Sequence, residues 1–132
     1  MDSAMQYFRF KNMDGEICVI NFYNIRKASF ILRAITHSGR QEILTLLASG
    51  RCKTVSDLVA ELSIEQSVLS QQMAVLKRAE LVLTSRSGKF IFYSLNTKHL
   101  SAICRHVEKI NTSLPEIQAE IKPDRDTVPE VE

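Results

Sequence analysis

The sequence predicts a mainly α-helical fold carrying a small β-hairpin, and three observations predict it. Two helix-start signals, at Thr54 and Ser63, follow one another closely, so two short helices meet across a tight turn. After Leu81 the apolar period changes from helical to two, the mark of paired strands. Broad apolar stripes at Phe22 to Ile35 and Leu100 to Leu114 bracket these elements, each wider than one neighbour requires.

At the N-terminus, Tyr7, Phe8 and Phe10, then Ile17 and Val19, flank Asn12-Met13-Asp14-Gly15. Asp-Gly between such runs is a hairpin signal, so residues 1–21 are expected to form an extra arm or hairpin. The first helix follows on Ile25, Ala28, Ser29, Leu32 and Ile35, with Phe30 and Ile31 widening its face. Ser38-Gly39-Arg40-Gln41 has the form of a capping box for a second helix, with Ile43, Leu44, Leu46 and Leu47 facing inward and Ser49-Gly50 as its stop.

Thr54 can cap a third helix through Asp57 and Glu61 or their backbone neighbourhood, with Leu58, Val59 and Leu62 inward. Ser63-Ile64-Glu65-Gln66 again reads as a capping box, and Leu69, Met73 and Leu76 give the stripe of a fourth helix ending near Glu80. Val82 to Ser87 and Phe90 to Leu95 form strands around Gly88-Lys89. Asn96 or Thr97 can cap the last helix, whose stripe runs through Leu100, Ile103, Val107, Ile110 and Leu114 to Pro115. Four helices, a hairpin and a fifth helix, in the order α-α-α-α-β-β-α, make a winged helix-turn-helix over residues 22–114.

The 132 residues fit one such domain. No apolar run could span a bilayer and no basic-then-apolar leader opens the chain, which points to a soluble cytoplasmic protein without a membrane partner. The net charge of +2 hides an asymmetry: residues 115–132 carry six acids against Lys122 and Arg125, leaving +6 on residues 1–114. That suits a polyanionic partner, and an ordinary soluble surface equally. With Pro123 and Pro129, the acidic tail reads as flexible. Cys18, Cys52 and Cys104 are widely spaced, without a Cys-x-x-Cys pair, and read as reduced thiols, two or more of them buried.

A helix-turn-helix sets its second helix in the major groove, so one face must pack while the other offers short polar side chains. Gln66, Ser67, Ser70, Gln71 and Gln72 are uncharged donors and acceptors opposite Leu69 and Met73. Glutamine can pair with adenine through two bonds, and serine with several bases. A lone helix of this composition would pass for a solvated surface; its setting favours base reading. Lys77 and Arg78 flank it, and Arg86 and Lys89 of the hairpin can reach phosphates or the minor groove.

"HSGRQEILTLL", "VSDLVAELSIEQSVLSQQMAVLKRAELV" and "SRSGKFIFYSL" together resemble the ArsR/SmtB bacterial repressors, over about residues 30–114. The resemblance implies a homodimeric winged-helix transcriptional regulator, a repressor released from double-stranded operator DNA by an inducer that the sequence does not identify. It implies base contacts from Gln66, Ser67, Ser70 and Gln71, wing contacts from Arg86 and Lys89, and dimerisation by helices 22–35 and 97–114. A two-fold dimer would read an imperfect inverted repeat.

Metal-responsive members carry Cys-x-Cys-Asp-Leu at the start of the third helix. Here the stretch is Thr54-Val55-Ser56-Asp57-Leu58, and hydroxyls are weak ligands for soft metals. Where the family's last-helix site has acid and histidine stand Asn96 and Lys98. The reading is therefore no cofactor and no metal; a displaced site would use His99 and His106, otherwise solvated interface histidines. Some relatives sense oxidants through a thiol pair joining the second-helix region to the last helix. Thr45 stands at the former position, leaving Cys52 and Cys104 as the candidate pair and a buried Cys104 as the plainer reading.

Two other classes compete. A winged-helix module that binds protein would also show an uncharged glutamine-rich face. A related dimer family, the MarR type, shares the fold with a longer last-helix bundle. An enzyme is disfavoured: no phosphate-binding glycine loop or nucleophile elbow occurs, and His37 reads as a packing or capping residue.

Overall fold

The structure, a computed structural model, describes residues 6–113. Its elements are β1 (Tyr7–Lys11), β2 (Ile17–Asn21), α1 (Phe22–Thr36), α2 (Ser38–Leu47), α3 (Val55–Leu62), α4 (Gln66–Arg78), β3 (Val82–Ser87), β4 (Phe90–Leu95) and α5 (Thr97–Ser113). The chain divides into two compact units after Asn96. Leu114 and the acidic tail of residues 115–132 lie outside the described residues.

β1 and β2 pair antiparallel, from Tyr7 opposite Asn21 to Lys11 opposite Ile17. Besides the Asp-Gly signal, Asn12 shapes their connection, its Oδ1 accepting from the N–H of Asp14 at 2.9 Å and of Glu16 at 3.0 Å. Gly15 sits at φ +83°, a conformation that side chains disfavour. Asn21 ends the hairpin and starts the helix: its Oδ1 accepts from Tyr23 N–H at 2.9 Å and Asn24 N–H at 3.4 Å, so α1 begins at Phe22.

The core is small and central. Ala34 of α1, Ile43 and Leu47 of α2, Leu58 of α3, and Leu69, Met73 and Leu76 of α4 meet Ala79, Leu81 and Val82. Each buried leucine or isoleucine contributes about 1.5–3 kcal/mol relative to exposure. α2 packs against α1, α3, α4 and β4, so the second helix is the hub.

Three local details differ from the sequence expectation. His37, not Ser38, caps α2, its Nδ1 accepting from Arg40 N–H at 3.4 Å; Ser38 is already the first helical residue. The box expected at Ser63 is absent, because Ser63 is spent closing α3 in a left-handed conformation, φ 54° and ψ 43°, with its N–H donating to Val59 O at 2.9 Å. Glu65 caps α4 without a side-chain bond. α4 stops at Arg78 rather than Glu80, since Glu80 turns to φ 57° and the N–H groups of Glu80 and Leu81 donate to Lys77 O and Leu76 O, both at 3.0 Å. That is the Schellman closure, with glutamate where glycine is usual.

The third helix begins as expected. Thr54 Oγ1 accepts from Asp57 N–H at 3.1 Å and Asp57 Oδ2 accepts from Thr54 N–H at 2.9 Å, a reciprocal box. Glu61 takes no part in it and pairs instead with Lys53, Nζ to Oε1 2.8 Å. Lys53 also bridges Tyr93 through paired backbone bonds of 3.0 and 2.8 Å, fastening the approach to α3 onto β4.

α5 is amphipathic, with Leu100, Ile103, Val107 and Ile110 on one side, and none of its residues is buried. The expectation of mostly buried thiols fails: Cys52 and Cys104 are exposed, Cys18 is half-buried, and all three are free. Cys52 lies in the loop after Gly50, and Cys104 stands at the edge of the apolar stripe of α5.

Candidate nucleic-acid interface

α3, the three-residue turn Ser63-Ile64-Glu65 and α4 form the helix-turn-helix. Its register fixes what α4 shows. Leu69, Met73 and Leu76 are buried on one side, and Ser67, Ser70, Gln71, Ala74 and Arg78 are exposed on the other. Gln66 and Lys77 stand exposed at the edge of that face. Short neutral side chains thus occupy the ridge, with cations confined to the last turn.

Gln72 stands apart from the other predicted residues. It is half-buried, and its Oε1 accepts from Arg40 Nη1 at 2.8 Å. The same guanidinium donates through Nε to Ala34 O at 2.8 Å and through Nη2 to Arg33 O at 3.2 Å. Arg40 therefore joins the last carbonyls of α1 to the middle of α4, a link with no local sequence signal. Arg78, expected as a flanking cation, has its guanidinium carbon 5.7 Å from the centre of the Phe30 ring on α1.

The wing is a six-residue antiparallel ladder from Val82 opposite Leu95 to Ser87 opposite Phe90, leaving Gly88-Lys89 as a two-residue tip. Gly88 has φ +61° and Lys89 is not among the positive-φ residues, the pattern of a type II′ turn, which needs glycine at its first central position. Arg86 and Lys89 are exposed, and Lys89 Nζ lies 5.6 Å from the centre of the Phe90 ring. Exposed polar groups on α4 and cations on the β3–β4 hairpin thus occur in one compact unit.

Asp57 is held below the ordinary carboxylate range by the Thr54 N–H, then by the Thr54 hydroxyl and by the charge of Lys53. It is a structural carboxylate. Among the described residues, no group of three or more His, Cys, Asp or Glu side chains stands together to hold a metal ion, so His99 and His106 find no third ligand there. Cys52 and Cys104 fall in different units. No helix among the described residues is long and apolar enough to cross a membrane.

A family model described as "Bacterial regulatory protein, arsR family" matches residues 37–84, from the cap of α2 into β3. The chain is 37% identical over 67 residues to the transcriptional repressor SdpR of Bacillus subtilis, spanning 51% of this chain and 73% of that protein. It is 31% identical over 87 residues to the transcriptional activator HlyU of Vibrio cholerae, 66% of this chain and 80% of that one. An ArsR-like transcriptional regulator from Rhodococcus superposes with a TM-score of 0.66 over 76% of this chain and 92% of its own, at 21% identity, a likeness of fold.

Proposed function

The chain belongs to the ArsR family of bacterial regulatory proteins, and from that premise we propose that it is a cytoplasmic, homodimeric repressor that reads an inverted-repeat operator. The observation that supports this most is the division of α4 into a leucine-methionine face held in the core and a Ser67-Ser70-Gln71 face open to solvent. Ser67, Ser70 and Gln71, with Gln66 at the first turn, contact base edges. Arg86 and Lys89 contact the flanking backbone or minor groove, and Lys77 and Arg78 add phosphate contacts. Gln72 serves with its remaining amide, its oxygen being engaged by Arg40.

Dimerisation uses α1 and α5. The stripe Ile25, Ala28, Ser29 and Leu32 of α1 is exposed throughout, while only Ala34 of that helix is buried, so a large apolar face is left for a second copy. Two recognition helices then enter successive major grooves about 34 Å apart. The reading includes no metal or cofactor. Repression is the sign proposed, on the name of SdpR; HlyU is named an activator.

Selection of genomic fragments on the purified protein, with reductant, with oxidant and with zinc, tests the reading. An inverted repeat beside a promoter is expected, and a promoter fusion that falls on expression of the protein gives the sign. Loss of binding in oxidant alone would assign the inducer chemistry to thiols, Cys52 and Cys104 being the exposed ones. Recovery of nothing at low salt would replace the proposal by a protein-binding winged-helix module.

A further inference from the structure

Among the described residues, ten of the fifteen exposed large apolar side chains lie between Tyr7 and Leu32, so the apolar excess there is concentrated ahead of the helix-turn-helix. The hairpin register sorts them. One face carries Phe8 and Ile20 as a cross-strand pair and Phe10 and Cys18 as another, with no charge; the other carries Tyr7, Arg9, Lys11, Ile17, Val19 and Asn21. Phe8, Phe10 and Ile20 are 46%, 41% and 36% exposed, although the face is wholly apolar.

This face continues into α1. Phe8 stacks on Phe10 with ring centres 5.7 Å apart, and meets Phe22 in a tilted contact at 6.5 Å. Phe22 is the first residue of α1, and Phe22, Ile25, Ser29 and Leu32 fall on one helical stripe. An aromatic ladder therefore runs from the hairpin onto the exposed stripe of α1. A two-stranded hairpin is marginal in water unless its apolar face is covered, and here α1 packs against β2.

We propose that the hairpin β1–β2 is a dimerisation arm whose Phe8-Phe10-Cys18-Ile20 face is covered by a second copy of this chain. The inference rests on the homodimer reading above and extends it. A stripe the length of α1 offers on the order of 200 Å² at about 1.5 Å per residue and about 10 Å width, and one the length of α5 a similar area, together short of the about 800 Å² that each partner buries in a stable interface. The hairpin face adds to them. The opposite face, where Arg9 and Lys11 stand among Tyr7, Ile17 and Val19, stays in water in this arrangement, because covering it would bury two cations.

Sedimentation equilibrium of the full chain over a dilution series tests this, with Phe8→Ser/Phe10→Ser against Tyr7→Ser/Val19→Ser on the opposite face. The first pair should raise the dimer dissociation constant at least about tenfold, the second less than about threefold. Hydrogen exchange on the unaltered chain supplies a second readout: β1 and β2 amides should lose protection on dilution below the dissociation constant, while β3 and β4 keep theirs. Equal effects of the two pairs, a monomeric unaltered chain, or hairpin protection independent of concentration would overturn the proposal, the last because another occupant then covers the face. Failure of the arm alone leaves a dimer that still selects an inverted repeat; failure of the DNA reading leaves the dilution results intact and selects no DNA.

Discussion

Arg40 holds Gln72: Nη1 of the first donates to Oε1 of the second at 2.8 Å, across 32 residues of sequence. Its other donors reach the carbonyls of Ala34 and Arg33 in the last turn of α1, where helical N–H partners run out; Arg33 O also accepts from Thr36 Oγ1 at 3.2 Å. A planar fork suits this three-way task, and the positive charge also lies favourably at a helix C-terminus. The end of the proposed dimer helix is thereby tied to the proposed recognition helix.

Arg40→Ala should lower stability by about 2 kcal/mol, as expected for hydrogen bonds donated by a charged group. Arg40→Lys should recover only part of it, because an ammonium cannot span the same acceptors. A double-mutant cycle with Gln72→Ala, read by urea unfolding, should give a coupling of at least about 0.5 kcal/mol. A coupling of zero would mean that the Arg40–Gln72 bond carries no weight in solution.

Gln71→Ala and Arg86→Ala should separate base reading from phosphate contact. The first should cost about 1–3 kcal/mol on the selected operator and almost nothing on random DNA. The second should weaken both and reduce the slope of log K against log salt by about one. Fluorescence titration at several salt concentrations measures both; equal losses on the two DNAs for Gln71→Ala would refute base reading.

The Thr54–Asp57 box makes an acid-side contribution to stability whose sign is fixed. Asp57 is depressed in the folded state, so the contribution is fully present above its unfolded value, about pH 3.9, and is lost as pH falls through the lower folded value. Asp57→Asn should therefore flatten the acid limb of a plot of unfolding free energy against pH. Thr54→Ala should cost about 1 kcal/mol near neutrality through the lost cap.

Gly88→Ala probes the wing. A Cβ there would meet nothing within 4 Å, so crowding is no obstacle, yet φ +61° is a conformation alanine resists. A penalty of about 1–2 kcal/mol is expected at the tip, with weaker binding to all DNA sequences as Arg86 and Lys89 lose their placement. Thermal unfolding and the same titrations check it; unchanged affinity would remove the wing from the interface.

The wing strands, the Thr54 cap and the Leu69-Met73-Leu76 face were legible because each is written in local spacing: period two, a hydroxyl three residues before a carboxylate, and a helical stripe. The caps at Ser38 and Ser63 misled for a related reason. A Ser-x-x-Gln pattern states that a box can form, but His37 was better placed by its extended backbone, and Ser63 was needed to end α3. Local pattern proposes such contacts, and competition among neighbours disposes of them.

By itself the sequence determined the order of helices and strands, the neutral ridge of the fourth helix and the cations of the wing, since these follow from periodicity and residue type along one segment. Only the tertiary structure decided that Arg40 engages Gln72, that Lys53 is stitched to Tyr93, and that Phe8, Phe10 and Phe22 form one ladder. Those are meetings of residues distant in sequence or on separate elements. Their formation depends on how packed elements bring side chains within bonding distance, which spacing along the chain does not encode.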